Sequence, residues 1–219
     1  RRRHTRPHRS GEGRIVRVLL TGATGLIGRE LGKALAARGD TLVCLVRDAE
    51  GAPWRLPFPG TCHAWNHLRE VPAEALTGVD AIVHLAGEPV AEKRWTDAQM
   101  ALIRDTRVLG TQRIVDAVQA HGARIKAFVH GSAIGYYGDR ADATLHGDSA
   151  KGEGYLAELV DDWEGQLRPL ADRRPDMRVA IVRTGVVLAR HGGALARMLP
   201  MFRASAAGRL GSGRQWMSW

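Results

Sequence analysis

From residue 15 onward the chain alternates short apolar runs with stretches of helical periodicity. The runs are residues 15–20, 42–46, 81–85, 125–129 and 179–182. They are rich in Val, Ile and Leu and do not alternate with polar positions, the pattern of strands covered on both faces in a parallel sheet. Between the first two, Leu26, Ile27, Leu31 and Leu35 fall at helical spacing, and Gly39 sits where that helix would end. Met100, Ile103, Val108, Ile114, Val115 and Val118 draw an apolar stripe that predicts a helix over residues 97–119. A third helix is expected over 155–170. Strand alternating with helix predicts an α/β domain with a doubly wound parallel sheet.

Composition narrows the class. The 219 residues are 44% hydrophobic and 25% charged, room for one domain with a real core. No apolar run approaches the roughly 20 residues of a membrane span, and no apolar stretch of signal-peptide type follows the basic start. Two cysteines, Cys44 and Cys62, make no disulfide framework and suit a reducing cytoplasm. Cys62, His63 and His67 lack the spacing of a zinc site, so no metal is expected.

The net charge of +9 is not spread evenly. Residues 1–14 hold six arginines against Glu12, and residues 190–219 hold five arginines and no acid, while residues 15–189 sum to −1. A nucleic-acid binder is therefore not indicated. The first 14 residues read as a disordered, solvated tail or the remnant of an upstream domain, although their arginines also suit an arm on phosphates. The start at Arg1 and the apolar end at Trp219 suggest a piece of a longer chain.

Chemistry enters at Thr21-Gly22-Ala23-Thr24-Gly25-Leu26-Ile27-Gly28, directly after the first strand and opening the first helix. Glycines at this spacing turn the chain tightly, let N–H groups approach a diphosphate and let helix pack on strand, which is the dinucleotide-binding fingerprint of a Rossmann domain. Thr21, Gly22, Thr24, Gly25, Leu26, Ile27 and Gly28 are thus expected at the cofactor. No Gly-Lys-Ser/Thr closes the loop, which excludes a P-loop. The second strand ends in Arg47-Asp48. An acid there binds the ribose of NAD and an arginine the 2′-phosphate of NADP; Arg47 comes first and favours NADP over NAD.

These residues, with HLAG (84–87), GSAIGYYG (131–138), DTRVLGT (105–111), the Trp163-Glu164 pair, RTGVVLARHGGAL (183–195) and GSGRQWMSW (211–219), resemble the extended short-chain dehydrogenases/reductases. The closer resemblance is to their atypical epimerase-family, or sugar-nucleotide-epimerase-like, subgroup. It implies a Rossmann domain over 15–189 and, from 190, the beginning of a smaller C-terminal substrate lobe that normally continues past residue 219. It implies an oxidoreductase or epimerase acting on a nucleotide sugar or similar hydroxylated small molecule. It adds Leu85, Ala86, Gly87 and Arg183 to the expected cofactor contacts, and sets Trp95, Trp216 and Trp219 near the site. The arginines of the last segment, Arg197, Arg203, Arg209 and Arg214, would suit an anionic substrate.

The resemblance also implies a serine and a tyrosine that handle the substrate proton. Ser132 matches the serine. A free phenol, with pKa ~10, is ionised only about one part in a thousand at pH 7, and the family lowers this with a lysine four residues on. Tyr155 stands near the expected position but is followed by Leu159, not lysine. Tyr136, with Arg140 at the same spacing, and Tyr137 lie in the glycine-rich turn and are alternatives. Without the lysine, a non-catalytic dinucleotide-binding module is the competing expectation. Asp161, Asp162 and Glu164 read as a solvated helix face, and Trp163 as a core residue.

Overall fold

The structure is a computed structural model and describes residues 15–209 and 211–219; the tail expected over 1–14 lies outside the described residues. In chain order the elements are β1 (Arg17–Thr21), α1 (Leu26–Ala37), β2 (Thr41–Val46), α2 (Ala52–Arg55), β3 (Thr61–Ala64), β4 (Ala81–His84), α3 (Asp97–His121), β5 (Ala127–Ala133), α4 (Tyr155–Gly165), α5 (Arg168–Arg173), β6 (Arg178–Thr184) and α6 (Gly193–Arg203). The strands form one sheet in the order β3-β2-β1-β4-β5-β6, every neighbouring pair parallel. This is the doubly wound Rossmann arrangement. Its order reverses between β1 and β4, and a ligand crevice opens at the C-terminal ends of strands at such a reversal.

Two elements depart from the expected pattern. β3 is short and half-buried (Thr-Cys-His-Ala), so it carries little apolar signal; pairing with β2, Cys44 opposite Cys62, holds it in place. The helix expected over 155–170 is two helices, α4 and α5. Pro169 explains the break: it has no N–H to give and its ring clashes with the carbonyl four residues back.

Both faces of the sheet are packed. Leu19, Val43, Ile82 and Phe128 line one face, beneath Ile114, Val115 and Val118 of α3, Leu170 of α5 and Leu167 at its start. Val18, Leu20, Leu42 and Cys44 line the other, beneath Leu31 and Leu35 of α1 and Phe58. Burying a side chain the size of Phe128 contributes about 1.5–3 kcal/mol. One step toward the strands' C-terminal ends the first face turns polar: Thr21, His84, His130 and Ser132 are all buried there. Apolar rows fix the strands; of the polar row, Ser132 reaches the crevice. No helix of the described residues is long and apolar enough to cross a membrane.

Candidate functional site

The glycine loop forms the floor of the crevice. Gly22 has φ +70°, and a Cβ there would lie 2.8 Å from the Leu85 carbonyl. A Cβ on Gly28 would lie 2.1 Å from the Gly22 oxygen, so any larger residue would push α1 off the loop. Gly25 caps α1, no side chain bonds the helix end, and its first turn holds no acid. The first N–H groups of α1 are therefore left for an outside acceptor, at the positive end of the helix. A cavity of about 330 Å³ runs from this loop over the ends of β2 and β4 and is lined by Gly22, Thr24, Gly25, Arg47 and the 85–87 loop. Asp48 faces its own turn instead. Its carboxylate accepts from the Gly51 N–H (2.9 Å) and from Arg55 (2.6 Å), the Gly51 bond chief among the causes that lower its pKa. Open helix N–H groups, a glycine cradle that a Cβ would fill and Arg47 at the far wall, which forms no ion pair within 4 Å among the described residues, fit a dinucleotide.

Thr21 has a different role from the one expected. It lines neither this cavity nor the larger one described below. Its hydroxyl oxygen accepts the N–H groups of Leu85 and Ala86, each at 3.0 Å, and meets His84 Nδ1 at 2.6 Å. With both lone pairs used, the hydroxyl proton goes to Nδ1. The proton of His84 is then on Nε2, which donates to Thr111 (3.0 Å), and Trp163 donates to the same oxygen (2.8 Å). Burial, with His130 beside it, holds the His84 pKa well below the ordinary histidine value, in keeping with this neutral tautomer. Thr21 thus fixes the 85–87 loop and does not reach into the crevice.

A larger cavity, about 1210 Å³, opens from the same loop toward β5 and α4. Leu26, Ile27 and Gly28 line it on one side, Ser132 and Tyr155 on the other. Ser132 is 4% exposed and donates to Glu164 at 2.5 Å. Glu164 is buried as well, a correction to the solvated face expected for Asp161, Asp162 and Glu164. The helix turns Val160, Trp163 and Glu164 inward together, while Asp161 and Asp162 point away. Arg183 holds Glu164 in a bidentate pair (Nε 2.8 Å, Nη2 2.7 Å) and donates from Nη1 to the Tyr137 hydroxyl at 2.9 Å. Its guanidinium carbon lies 3.5 Å from the centre of the Tyr136 ring.

Three expected site residues, Tyr136, Tyr137 and Arg183, are therefore engaged with one another, and none lines either cavity. Arg183 closes on Glu164 instead of facing a cofactor because the carboxylate satisfies its planar fork. Tyr155 does line the larger cavity; its hydroxyl donates to the Met100 carbonyl (2.8 Å) and its ring meets Trp95 edge-on. Burial raises its pKa against the opposing pull of Arg107 and Arg104. Leu159 is 2% exposed and lines the same cavity, where the family lysine would stand. Among the arginines of residues 190–219, Arg197 bonds the Ala91 carbonyl (3.0 Å), and neither it nor Arg203, Arg209 or Arg214 lines either cavity. Trp95 lines the larger cavity, whereas Trp216 and Trp219 line neither cavity.

The sequence reading missed Trp65, Asn66 and His67, which line the smaller cavity just beyond β3, because that strand itself was missed. It also missed Arg107 and Glu164. Each is a charge four residues after an apolar position on an inward stripe, Ile103 and Val160, and that mismatch was the available signal.

Residues 18–219 match the model of the NAD dependent epimerase/dehydratase family. An epimerase family protein of Mycobacterium bovis is 39% identical over 203 residues, 92% of this chain and 64% of that protein. The human epimerase family protein SDR39U1 (isoform 2), solved with NADPH, matches with a TM-score of 0.77 at 32% identity, over 92% of this chain and 64% of that one. A nucleoside-diphosphate sugar epimerase from Corynebacterium glutamicum matches with a TM-score of 0.77 at 35% identity, over 94% of this chain and 41% of that one. The chain thus spans less than two thirds of the length of each of these three.

Proposed function

The chain belongs to the NAD dependent epimerase/dehydratase family, and we propose that it is an NADP(H)-binding oxidoreductase or epimerase acting on a nucleotide sugar or similar hydroxylated small molecule. The observation that carries this reading is the meeting of two cavities at one glycine loop: one ends at Arg47, the other at Ser132 and Tyr155. In this reading the N–H groups of the Gly22–Gly28 loop hold the diphosphate and Arg47 the 2′-phosphate. The position of Arg47 on the cavity wall, with Asp48 taken up by Gly51 and Arg55, favours NADP over NAD. The relative solved with NADPH points the same way. A bound nicotinamide supplies the hydride acceptor or donor.

The protein's own part is to hold the substrate hydroxyl. Glu164, ionised beside Arg183, can only accept, so Ser132 must donate to it. The lone pairs of the Ser132 oxygen are then left to face the cavity, where they receive the O–H of a substrate alcohol. Of the chain's three tyrosines, Tyr155 is the one on the cavity wall and the candidate proton donor. Two free cysteines suit a cytoplasmic setting.

Fluorescence titration tests the cofactor: NADPH is expected to bind at least about tenfold more tightly than NADH, and equal affinities would overturn the assignment. Incubation with NADP⁺ and a panel of nucleotide sugars tests the reaction, read by nicotinamide absorbance and by product analysis, because an epimerase returns its hydride. Leu159 in place of lysine supports a second reading, a dinucleotide-binding module without turnover. Tight NADPH binding with no product from any sugar would favour that module; slow turnover abolished by Ser132→Ala would eliminate it.

A further inference from the structure

Arg107 sits on the inward stripe of α3 and lines the larger cavity. Three features hold its guanidinium still. Nη1 donates to the backbone carbonyls of Glu88 (2.8 Å) and Ile103 (3.2 Å). Its carbon lies 5.1 Å from the centre of the Trp163 ring. On the remaining side it rests against Gly87, where a Cβ would come within 3.1 Å of it. None of these contacts is a carboxylate. The Glu88 side chain is paired with Lys93 (2.8 Å), and Arg107 forms no ion pair among the described residues. Its Nε and Nη2 have no acceptor there either, yet neither is sealed from solvent.

That leaves one edge of the guanidinium open, and it is the edge that binds oxyanions with two parallel N–H bonds. The same edge of Arg183, in the same molecule, grips the Glu164 carboxylate with both nitrogens. Burial also disfavours the charge on Arg107, a cost that an incoming anion would offset. We propose that Arg107 is an oxyanion subsite of the larger cavity, taking a carboxylate or phosphate group on its Nε/Nη2 edge. The proposal rests on the reading of this cavity as the nicotinamide and substrate end of the crevice. The oxyanion belongs either to the cofactor's diphosphate or to an anionic group of the substrate.

Calorimetric titration of the full chain with NADPH, and of the NADPH-saturated chain with inorganic phosphate, separates the two sources. In Arg107→Gln, at least one of the two affinities is expected to fall roughly tenfold or more, the loss of a charge-assisted bond. Arg107→Lys keeps the charge without the fork and is expected to recover only part of the loss. A fall for NADPH alone assigns the oxyanion to the cofactor; a fall for phosphate on the loaded protein assigns it to the substrate. Unchanged affinities for both ligands in the glutamine or the lysine variant, with thermal unfolding like that of the wild type, would overturn the subsite. If the wild type takes up no NADPH, the functional reading has failed, and phosphate titration of the unloaded protein still decides the subsite.

Discussion

Two arginines near the end of the crevice make opposite use of the same chemistry. Arg183 is closed: its fork is filled by Glu164, its remaining amino group by Tyr137, and its face by Tyr136. Arg107 is held instead by carbonyls and an indole face that leave an edge open. The same division separates larger regions. In the β5–α4–β6 corner, Ser132, Glu164, Arg183 and Tyr137 satisfy one another; along the glycine loop, no side chain among the described residues bonds the first N–H groups of α1. A filled donor set contributes to stability, whereas an open one contributes to ligand binding, so damage in the two regions should register in different measurements.

Breaking the closed corner should have the largest effect. Glu164→Ala leaves Arg183 half-buried without its carboxylate and frees Ser132, and is expected to cost about 3 kcal/mol or more in a denaturant titration. If stability were unchanged, the pair would not be holding this corner. Breaking the open region should instead show in binding. Gly28→Val drives a side chain into the Gly22 carbonyl and is expected to weaken NADPH about 100-fold, on the order of 2.7 kcal/mol, in fluorescence titration. An affinity like that of the wild type would remove the diphosphate from this loop.

The polar row between the two regions predicts acid sensitivity. Both ring nitrogens of His84 are bonded, while neither ring nitrogen of His130 has a partner among the described residues, and burial holds both below the ordinary 6.5, His130 at about 3. Between these values the unfolded chain takes up protons that the folded chain refuses, so stability should fall as pH drops below 6.5. The slope is at most about 1.4 kcal/mol per pH unit for each histidine. His130→Phe should reduce that slope; an unaltered acid profile would mean that His130 is not excluded from protonation. The smallest effect is expected for Tyr155→Phe, about 1 kcal/mol of stability from the lost bond to the Met100 carbonyl. NADPH affinity should hold, and turnover unchanged on every substrate would eliminate Tyr155 as proton donor.

Much of this was legible in the residues alone, where a local pattern carries the information. Five apolar runs with helical stretches between them determine a doubly wound sheet, and TGATGLIG between strand and helix determines a tight glycine cradle, because only glycine permits those close approaches. Arg47 at the end of β2 belongs to the same local grammar. Contacts between distant parts of the chain had no such signature. The pairing that makes β3 a strand, and the turning of Glu164 onto Arg183 and Ser132, were decided by packing. So were the withdrawal of Thr21 behind the 85–87 loop and the open edge of Arg107. A side chain's partners are fixed by what the fold brings against it in space, and that depends on every intervening element.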